Sequence, residues 1–346
     1  MAPRILCNGN TRTSFNISYA ERIGKVGFLE ATFVRTSSGS QSLREVNDID
    51  QVTGEKTRNI SQSNEYNYQF TTNRLGMSVS SRKKKYNYYL GIAGQPSLLT
   101  GTDVRRNVNT RNANFNIVPS ARFNYKFAQN KTLTASYYGS TREPGFNQLQ
   151  PVSDSSNIKN IISGNSSLQP EFTNRFSIQF NKAGLLTGKS FFANIHINEV
   201  QNKIVSSRSN EAAGTGRTTT FINANGFHGV NGSISLSQPF KQKKFILSIN
   251  ASGSYDNNIS FTDNQRNNGN NFSLRPGINA RIDLPDLLNL NVSTNYVYNT
   301  NTTRYSTHTY TSNVKTWQFA IDGKHYFLKD WTVGYDFTKN FFMGYL

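Results

Sequence analysis

Residues 288–299 read LNLNVSTNYVYN, and their side chains alternate between two kinds. Leu288, Leu290, Val292, Tyr296 and Tyr298 share one parity, while the other parity is mostly asparagine and serine. Successive side chains of a β-strand point to opposite faces. The segment therefore predicts a strand with one apolar, aromatic face and one face of amide and hydroxyl groups. A sheet that has lipid on one side and water on the other needs this pattern.

The same alternation recurs along the whole chain. We predict about fourteen strands, near residues 12–22, 26–36, 63–81, 86–96, 112–127, 131–140, 170–182, 189 onward, 217–238, 244–255, 270–283, 288–299, 312–322 and 330–340. The apolar parity changes between Phe70 and Leu75, which predicts a β-bulge there. Asn225-Gly226 and Asn231-Gly232 fit either hairpin turns or glycine-softened points in one long strand. No helical period of useful length appears.

The connections between these strands alternate in length. Short ones fall near 22–25, 82–85, 128–131, 183–188, 239–243, 284–287 and 323–329, and long ones near 37–62, 97–111, 141–169, 204–216, 256–269 and 300–311. This order places every long loop at one end of the sheet. We therefore predict an all-β fold, an antiparallel up-and-down transmembrane β-barrel with short periplasmic turns and long extracellular loops.

Composition agrees with such a barrel and excludes several other classes. Only 35 % of residues are hydrophobic and 17 % are charged, but 12 % are aromatic, which fits neither a soluble core of this size nor a disordered chain. Mean hydropathy is −0.58, and no apolar run approaches the roughly 18 residues of a membrane helix. Cys7 is the single cysteine, so an internal disulfide is excluded.

The formal net charge of +18 has two interpretations. Nucleic-acid binding is the first. The second places the cations at a membrane rim or in a lumen, and we favour it because the largest basic cluster, Arg82 to Lys85, lies in a turn between two strands. Aromatic residues follow most turns, so we also expect an interfacial girdle of rings with lysines beside it.

Strand direction predicts that the chain is part of a larger barrel. The first strand runs into a short turn and the last strand leaves one, so both ends of the chain would lie outside the cell. At least one strand is then missing at each end. The N-terminus also has no signal peptide, so we expect Met1 not to be the start of the exported precursor. We therefore read residues 1–346 as one partial barrel domain, with the plug domain and the terminal strands absent.

One loop resembles a known family. Residues 141–152, TREPGFNQLQPV, and 163–180, SGNSSLQPEFTNRFSIQF, look like the TonB-dependent receptors of Bacteroidetes-type bacteria, and more narrowly their outer-membrane β-barrel family. The matching elements are Arg142 to Pro144 and Gly164 to Glu171. Residues 70–97 and 333–345 are similar to the same family. Its members have 22 strands and an N-terminal plug, whereas this sequence shows about fourteen strands, no plug and no TonB-contacting segment.

The resemblance implies a receptor in the outer membrane of a Gram-negative cell that takes up a ferric siderophore, a glycan or a similar nutrient. The implied partners are outer-membrane lipid, the missing plug domain and, through it, a TonB-type energy-transducing protein, together with a possible surface lipoprotein. Nucleic acid is not an expected partner. The resemblance says little about which substrate is carried.

The best candidates for substrate binding are four arginines on the polar parity of their strands: Arg122, Arg175, Arg275 and Arg281. They would either attract anionic solutes to the lumen or form salt bridges with the plug. Glu143 and Glu171 are expected to serve the loop they lie in.

Catalytic, cofactor and metal sites are not expected. The four histidines lack metal-ligand spacing, and no nucleophile or phosphate-binding motif appears. Two alternatives remain open at this point. One is an outer-membrane barrel hydrolase, for which His308 is the best available base, and the other is a soluble β-sheet domain that binds a polyanion.

Overall fold

The computed structural model describes residues 4–50, 52–59, 63–104, 107–149, 159, 161–184, 186–210, 216–327 and 331–344. In these residues the strands are β1 (Arg4–Ile23), β2 (Gly27–Ile49), β3 (Lys56–Arg58), β4 (Asn64–Arg82), β5 (Tyr86–Asp103), β6 (Val108–Ala128), β7 (Lys131–Arg142), β8 (Ile161–Ile162), β9 (Glu171–Ala183), β10 (Ser190–Gln201), β11 (Lys203–Asn210), β12 (Arg217–Ala224), β13 (Phe227–Phe240), β14 (Phe245–Thr262), β15 (Gln265–Leu284), β16 (Leu288–Arg304), β17 (Thr309–Phe327) and β18 (Trp331–Met343). A single helical turn, α1, covers Phe146–Leu149, and a short 3-10 turn covers Lys241–Lys243. None of the helices in this part of the chain is long and apolar enough to cross a membrane.

Fourteen of these strands form one continuous antiparallel sheet. Its order is β1, β2, β4, β5, β6, β7, β9, β10, β13, β14, β15, β16, β17, β18, and each strand pairs with the next. Successive wall strands are therefore neighbours in space, as in the predicted up-and-down fold, and the predicted strand number is confirmed. Among the described residues no ladder joins β1 to β18, so the sheet has two open edges.

The two faces of the sheet carry the predicted chemistry. On β16, Leu290 lies opposite Ile282 of β15, and Val292 lies opposite Ile321 of β17, so apolar side chains gather on the outer face. On the inner face, Asn291 accepts a hydrogen bond from Asn279 (2.6 Å) and donates one to Asp322 (2.9 Å). Two amides and a carboxylate are therefore linked by hydrogen bonds across three strands of the inner wall.

The predicted bulge between Phe70 and Leu75 is wrong. The register of β4 against β2 runs without a shift from Leu43–Glu65 to Gly27–Ser81. Parity is kept, and the two apolar sets lie on opposite faces: Leu75 and Met77 are 65 % and 57 % exposed on the outer face, whereas Tyr66 and Phe70 are buried on the inner face. The apolar residues of β4 change from even to odd positions because, near one end of the strand, aromatic side chains occupy the inner face.

Three of the predicted long loops are also wrong as loops. The segments 97–111, 256–269 and 300–311 are mostly strand, with turns at 263–264 and 305–308. Residues 105 and 106, between β5 and β6, lie outside the described residues. Asp263 and Asn264 both have positive φ (50° and 62°) and close a two-residue hairpin. These segments have no alternation of apolar and polar residues, because both of their faces contact water. Their backbone N–H and C=O groups nevertheless pair with those of the neighbouring strand. At this end, here called the loop end, the paired strands thus extend far beyond the part of the sheet with an apolar outer face. At the opposite end, here called the turn end, the strands are joined by short turns.

Other predicted connections lie partly outside the described residues. The turn at 323–329 includes 328–329, the turn at 183–188 includes 185, the loop at 141–169 includes 150–158 and 160, and the loop at 204–216 includes 211–215. The first part of the predicted 204–216 loop is wrong as a loop, since β11 covers Lys203–Asn210. The loop at 37–62 shortens to the region between β2 and β4 and contains β3, which pairs with the end of β2.

Neither Asn-Gly pair forms a hairpin turn. Asn231-Gly232 lies inside β13, whereas Gly226, with φ of 101°, separates β12 from β13. On the neighbouring strand, Asn202 (φ 53°) separates β10 from β11. Both strands of this hairpin therefore bend at the same level, and the expected glycine bend in the ninth predicted strand is confirmed.

Candidate functional site

The bent hairpin β11–β12 leaves the wall and turns inward. Below the bend, β10 pairs with β13, but above it β11 lies parallel to the end of β14, with Ser207 opposite Phe261. On its other side, β12 lies parallel to β8, with Thr218 opposite Ile161. The hairpin therefore fits between the end of a wall strand and the segment that joins β7 to β9.

The turn of the β14–β15 hairpin holds the tip of β11. The carboxylate of Asp263 accepts hydrogen bonds from the backbone N–H (2.8 Å) and the side-chain amide (3.0 Å) of Asn210. The backbone N–H of Asp263 donates to the carbonyl of Arg208 at 2.8 Å. The positive φ at this turn thus brings one carboxylate into position for two donors.

The loop that carries the family-like motif holds the other side of the hairpin. The Asn165 side chain donates to the carbonyl of Phe221 (2.9 Å). Asn223 accepts from the N–H of Gln169 (2.8 Å) and donates to the carbonyl of the same residue (2.9 Å). Glu171 accepts a hydrogen bond from the N–H of Ile204 (2.8 Å). The Gly164 to Glu171 motif is therefore a docking segment for β11 and β12.

These segments enclose an apolar cluster inside the curved sheet. Its buried members come from β4, β5 and the loop between β7 and β9, namely Tyr66, Tyr68, Phe70, Leu99, Leu149 and Leu168, and Ile204 and Phe221 of the hairpin pack against it. Strand β4 is third in the sheet and β14, which pairs with β11, is tenth, so the cluster and the hairpin together connect two distant parts of the wall. We call the cluster, the hairpin and the motif loop together the cap.

A charged cavity of about 490 Å³ lies next to the cap on the inner face. Its cations are Arg142, Arg175 and Lys203, and its carboxylates are Glu143 and Glu171. The Arg175 guanidinium donates through Nε to the side-chain oxygen of Asn198 at 3.2 Å. Strands β7, β9, β10 and β11 each place at least one lining side chain here, which gives a polar recess with a small excess of positive charge.

Lys203 has an unusual setting in this cavity. It lies in the inturned hairpin, and its ammonium sits 3.0 Å from the centre of the Phe227 ring. Burial lowers the pKa of Lys203 below that of an ordinary lysine, while the nearby carboxylate of Glu171 opposes this shift. An anionic ligand at this position would raise the pKa of Lys203 again, because it would favour the ammonium form.

The structure separates the four predicted arginines. Arg175 lines the cavity, while Arg275 lines a second, polar recess of about 350 Å³ that also contains His196. Arg122 lies level with Ser136 on the inner face of the wall. Arg281 lies near the turn end and pairs with Asp283 at 3.2 Å. All four lie on the inner parity, but they do not form one site.

Sequence reasoning missed Arg142 and Lys203 as members of the site. Arg142 belongs to the motif that carries the family resemblance, and this was the available signal. Lys203 gave none, because only the bend at Asn202 and Gly226 turns its strand into the interior.

The remaining sequence expectations concern metal ligands and His308. Among the described residues, no group of three or more His, Cys, Asp or Glu side chains is placed to hold a metal ion. His308 stacks on Tyr305 at 4.7 Å, and its Nδ1 is 2.9 Å from the hydroxyl of Thr307. The ring contacts of His308 thus belong to its own turn.

Comparison with known proteins agrees with this architecture. A solved structure described as the copper transporter OprC superposes with a TM-score of 0.60 at 11 % identity, over 95 % of this chain and 52 % of that chain. The siderophore receptor PirA of Pseudomonas aeruginosa gives 0.42 at 12 % identity (97 % and 65 % covered), and the ferric enterobactin receptor PfeA of the same organism gives 0.44 at 11 % (94 % and 56 % covered). The chain therefore spans about half the length of the first of these structures, and at such identity the likeness concerns the fold alone.

Sequence comparisons supply the family. A search of curated proteins finds no match. The family described as "Outer membrane protein beta-barrel family" matches residues 6–339. With nearly the whole chain matched, this protein belongs to the outer membrane protein beta-barrel family and resides in the outer membrane.

Proposed function

We propose that the chain forms the barrel portion of a TonB-dependent outer-membrane receptor that takes up a ferric siderophore, a glycan or a similar nutrient. The observation that carries this proposal is the cationic cavity on the inner face, directly beside a cap made by the chain's own loop-end segments. A solute that arrives from outside meets the cap first and then the cavity.

The charges of the cavity favour an anionic solute. Three cations face two carboxylates, and one of these, Glu171, already accepts a hydrogen bond from the hairpin. A ferric siderophore or an acidic glycan would find charge-assisted donors in Arg142 and Arg175. A neutral glycan would gain less from this cavity, so we place it second.

The cap is suited to act as a gate. Hydrogen bonds with Asp263 and with the motif loop hold the hairpin, and Ile204 and Phe221 pack against the apolar cluster. Displacement of the β11–β12 hairpin would connect the cavity with the exterior. No covalent chemistry is needed, and the proposed role is passage rather than catalysis.

The remaining partners follow from the uptake role. A plug domain would fill the inner space below the cavity and would contact a TonB-type energy-transducing protein in the periplasm. Further strands would pair with the open edges of β1 and β18. A surface lipoprotein would sit over the loop end.

Two alternatives lose support. Membership of an outer-membrane family excludes the soluble polyanion-binding domain. The hydrolase alternative rested on His308, whose contacts lie within its own turn.

Binding by the intact receptor tests the proposal. Arg175→Gln should weaken binding of an anionic ferric siderophore roughly ten- to hundredfold, since a hydrogen bond to a charged group contributes about 1.5–3 kcal/mol. Arg281→Gln is the matched control, because it removes the same charge outside the cavity. Equilibrium binding would be measured by calorimetry on the purified receptor, with a neutral glycan as the second ligand.

Uptake in cells completes the test. Transport should stop when the TonB-type protein is deleted and should depend on Arg175 but not on Arg281. Uptake that continues without the energy-transducing protein would overturn the receptor assignment. Equal binding of the siderophore by Arg175→Gln and Arg281→Gln would mean that the cavity does not bind the solute.

A further inference from the structure

The turn end of the sheet carries an uneven distribution of charge. Four consecutive turns of the wall, with the strand ends beside them, span residues 80–88, 123–133, 178–191 and 238–247. Together these segments contain eleven lysines and arginines and no aspartate or glutamate. We call them the basic arc. The turns on either side are mixed, with Glu21 and Glu30 near one and Asp283 and Asp286 near the other.

Three ammonium groups of the arc lie beside aromatic rings on the outer face. Lys131 lies 4.9 Å from the ring centre of Phe127 and 5.6 Å from that of Phe180. Lys83 lies 5.1 Å from the ring of Tyr86, and Lys241 lies 5.5 Å from that of Phe245. Each of these rings points outward, so the arc positions positive charge where lipid headgroups begin.

The rings form the expected girdle. Adjacent centroids are 6.4 Å apart for Tyr86 and Phe123, 4.7 Å for Tyr125 and Phe127, 6.3 Å for Phe127 and Phe180, and 5.7 Å for Phe180 and Phe191. The row thus runs without interruption from β5 to β10. Aromatic rows of this kind mark the interface between hydrocarbon and headgroups.

An apolar groove of about 480 Å³ opens on the outer face on the membrane side of this girdle. Its floor is low because Ala121 and Ala135 are small, and its sides are formed by Leu90, Phe123, Phe176 and Ile178. It belongs to β5, β6, β7 and β9, which are strands of the basic arc. The basic arc and the groove are therefore adjacent on the outer face, with the arc at the turn end and the groove nearer the middle of the membrane.

We propose that the basic arc and this groove bind an anionic phospholipid of the periplasmic leaflet. The phosphate would contact the lysines of the turns, and an acyl chain would fill the groove over the two alanines. A headgroup with net negative charge is favoured because the arc offers no carboxylate to pair with a headgroup amine. This inference rests on the outer-membrane location and not on the uptake role.

The test uses the full-length receptor in detergent, titrated with phosphatidylglycerol or with phosphatidylethanolamine of the same acyl chains and followed by native mass spectrometry. Wild type should bind phosphatidylglycerol roughly tenfold or more tightly than phosphatidylethanolamine. The arc variant Lys83→Gln, Lys84→Gln, Lys85→Gln, Lys131→Gln should lose that preference. The control variant Lys25→Gln, Lys315→Gln, Lys324→Gln, Lys339→Gln removes the same charge elsewhere and should keep it.

The groove is tested separately by Ala135→Leu, which leaves the charge unchanged and fills the floor. It should reduce phosphatidylglycerol binding severalfold, while Ala193→Leu, on the outer face of β10, should not. Equal affinity for the two lipids, or equal loss in the arc and control variants, would overturn the proposal. So would a preference of the arc for lipopolysaccharide over phosphatidylglycerol. Solute uptake is measured in parallel, so that a failure of lipid binding and a failure of the receptor function are distinguished.

Discussion

Inner-face asparagines stabilise this sheet by bonding sideways to one another. Asn279, Asn291 and Asp322 form one such row across β15, β16 and β17. Asparagine suits this position because its amide both donates and accepts, which satisfies a wet wall without adding charge. The high content of Asn, Ser and Thr thus reflects a polar inner wall rather than loops.

The two faces of β16 should respond differently to charge. Val292→Arg places a guanidinium on the outer face about midway along the membrane-spanning part of the strand and should cost about 2–4 kcal/mol. Ser293→Arg, one residue further on, faces the lumen and should cost far less. The free energy of unfolding in vesicles, measured by denaturant titration, checks both variants.

Two nearby positions refine this comparison. Leu290 lies close to the turn that precedes Leu288, so an arginine there should cost less than one at Val292. Asn291 is a poorer control than Ser293, since its replacement breaks two hydrogen bonds. Equal tolerance of arginine at Val292 and Ser293 would contradict the face assignment.

The existence and order of the wall strands could be predicted from the sequence, but the length of the strands beyond the membrane could not. Alternation identified all fourteen wall strands because one face must meet lipid. Beyond the membrane both faces meet water, so polarity no longer distinguishes a ladder from a loop, as in the segment that ends at Asp263 and Asn264. The inward course of β11 and β12 was unpredictable for a related reason. A bend at Gly226 was expected, but its direction depends on contacts with residues more than a hundred positions away.

Removal of one docking side chain should release the hairpin. Asn223→Ala eliminates the paired hydrogen bonds with Gln169 and the bond to the carbonyl of Asn202. Hydrogen exchange of the amides in β11 and β12 should then accelerate, while the wall strands keep their protection. Asn181→Ala, on a wall strand, is the control, and unchanged exchange in the hairpin would argue against the docking role of the motif loop.

The two-residue turn of β14 and β15 offers a second element-scale prediction. Asn264 has a φ of 62°, so Asn264→Gly should be tolerated, whereas Asn264→Val should destabilise the turn by about 1–2 kcal/mol. Thermal unfolding of the two variants would measure the difference. A valine as stable as the glycine would mean that the turn has another conformation.

At the scale of the whole molecule, the open edges determine how the barrel is completed. The number of wall strands is even, so β1 and β18 run antiparallel and direct pairing between them is geometrically allowed. Both strands are nevertheless exposed on each face in the described residues. We expect other strands to lie between them in the intact protein.

Cysteine crosslinking in the intact protein distinguishes a barrel closed by β1 and β18 from one with further strands between them. The experiment starts from a Cys7→Ser variant. Thr13→Cys and Ser37→Cys place two cysteines opposite each other on β1 and β2, and this pair should form a disulfide. Pairs that combine Thr13 or Ile17 with Phe337 or Phe341 should not, because intervening strands separate them. Efficient crosslinking of any such β1–β18 pair would show a barrel closed by this chain alone.

The cap also sets an order of events during assembly. Its parts come from residues 66–70, from the loop after β7 and from the hairpin at 203–224, and its last fastening, Asp263, is made later still along the chain. The packing of Ile204 and Phe221 against the buried side chains of β4 requires a sheet that has already curved around one interior. The cap would therefore be completed only after most of the wall has formed, so the outer end of this barrel is the last part of the chain to close.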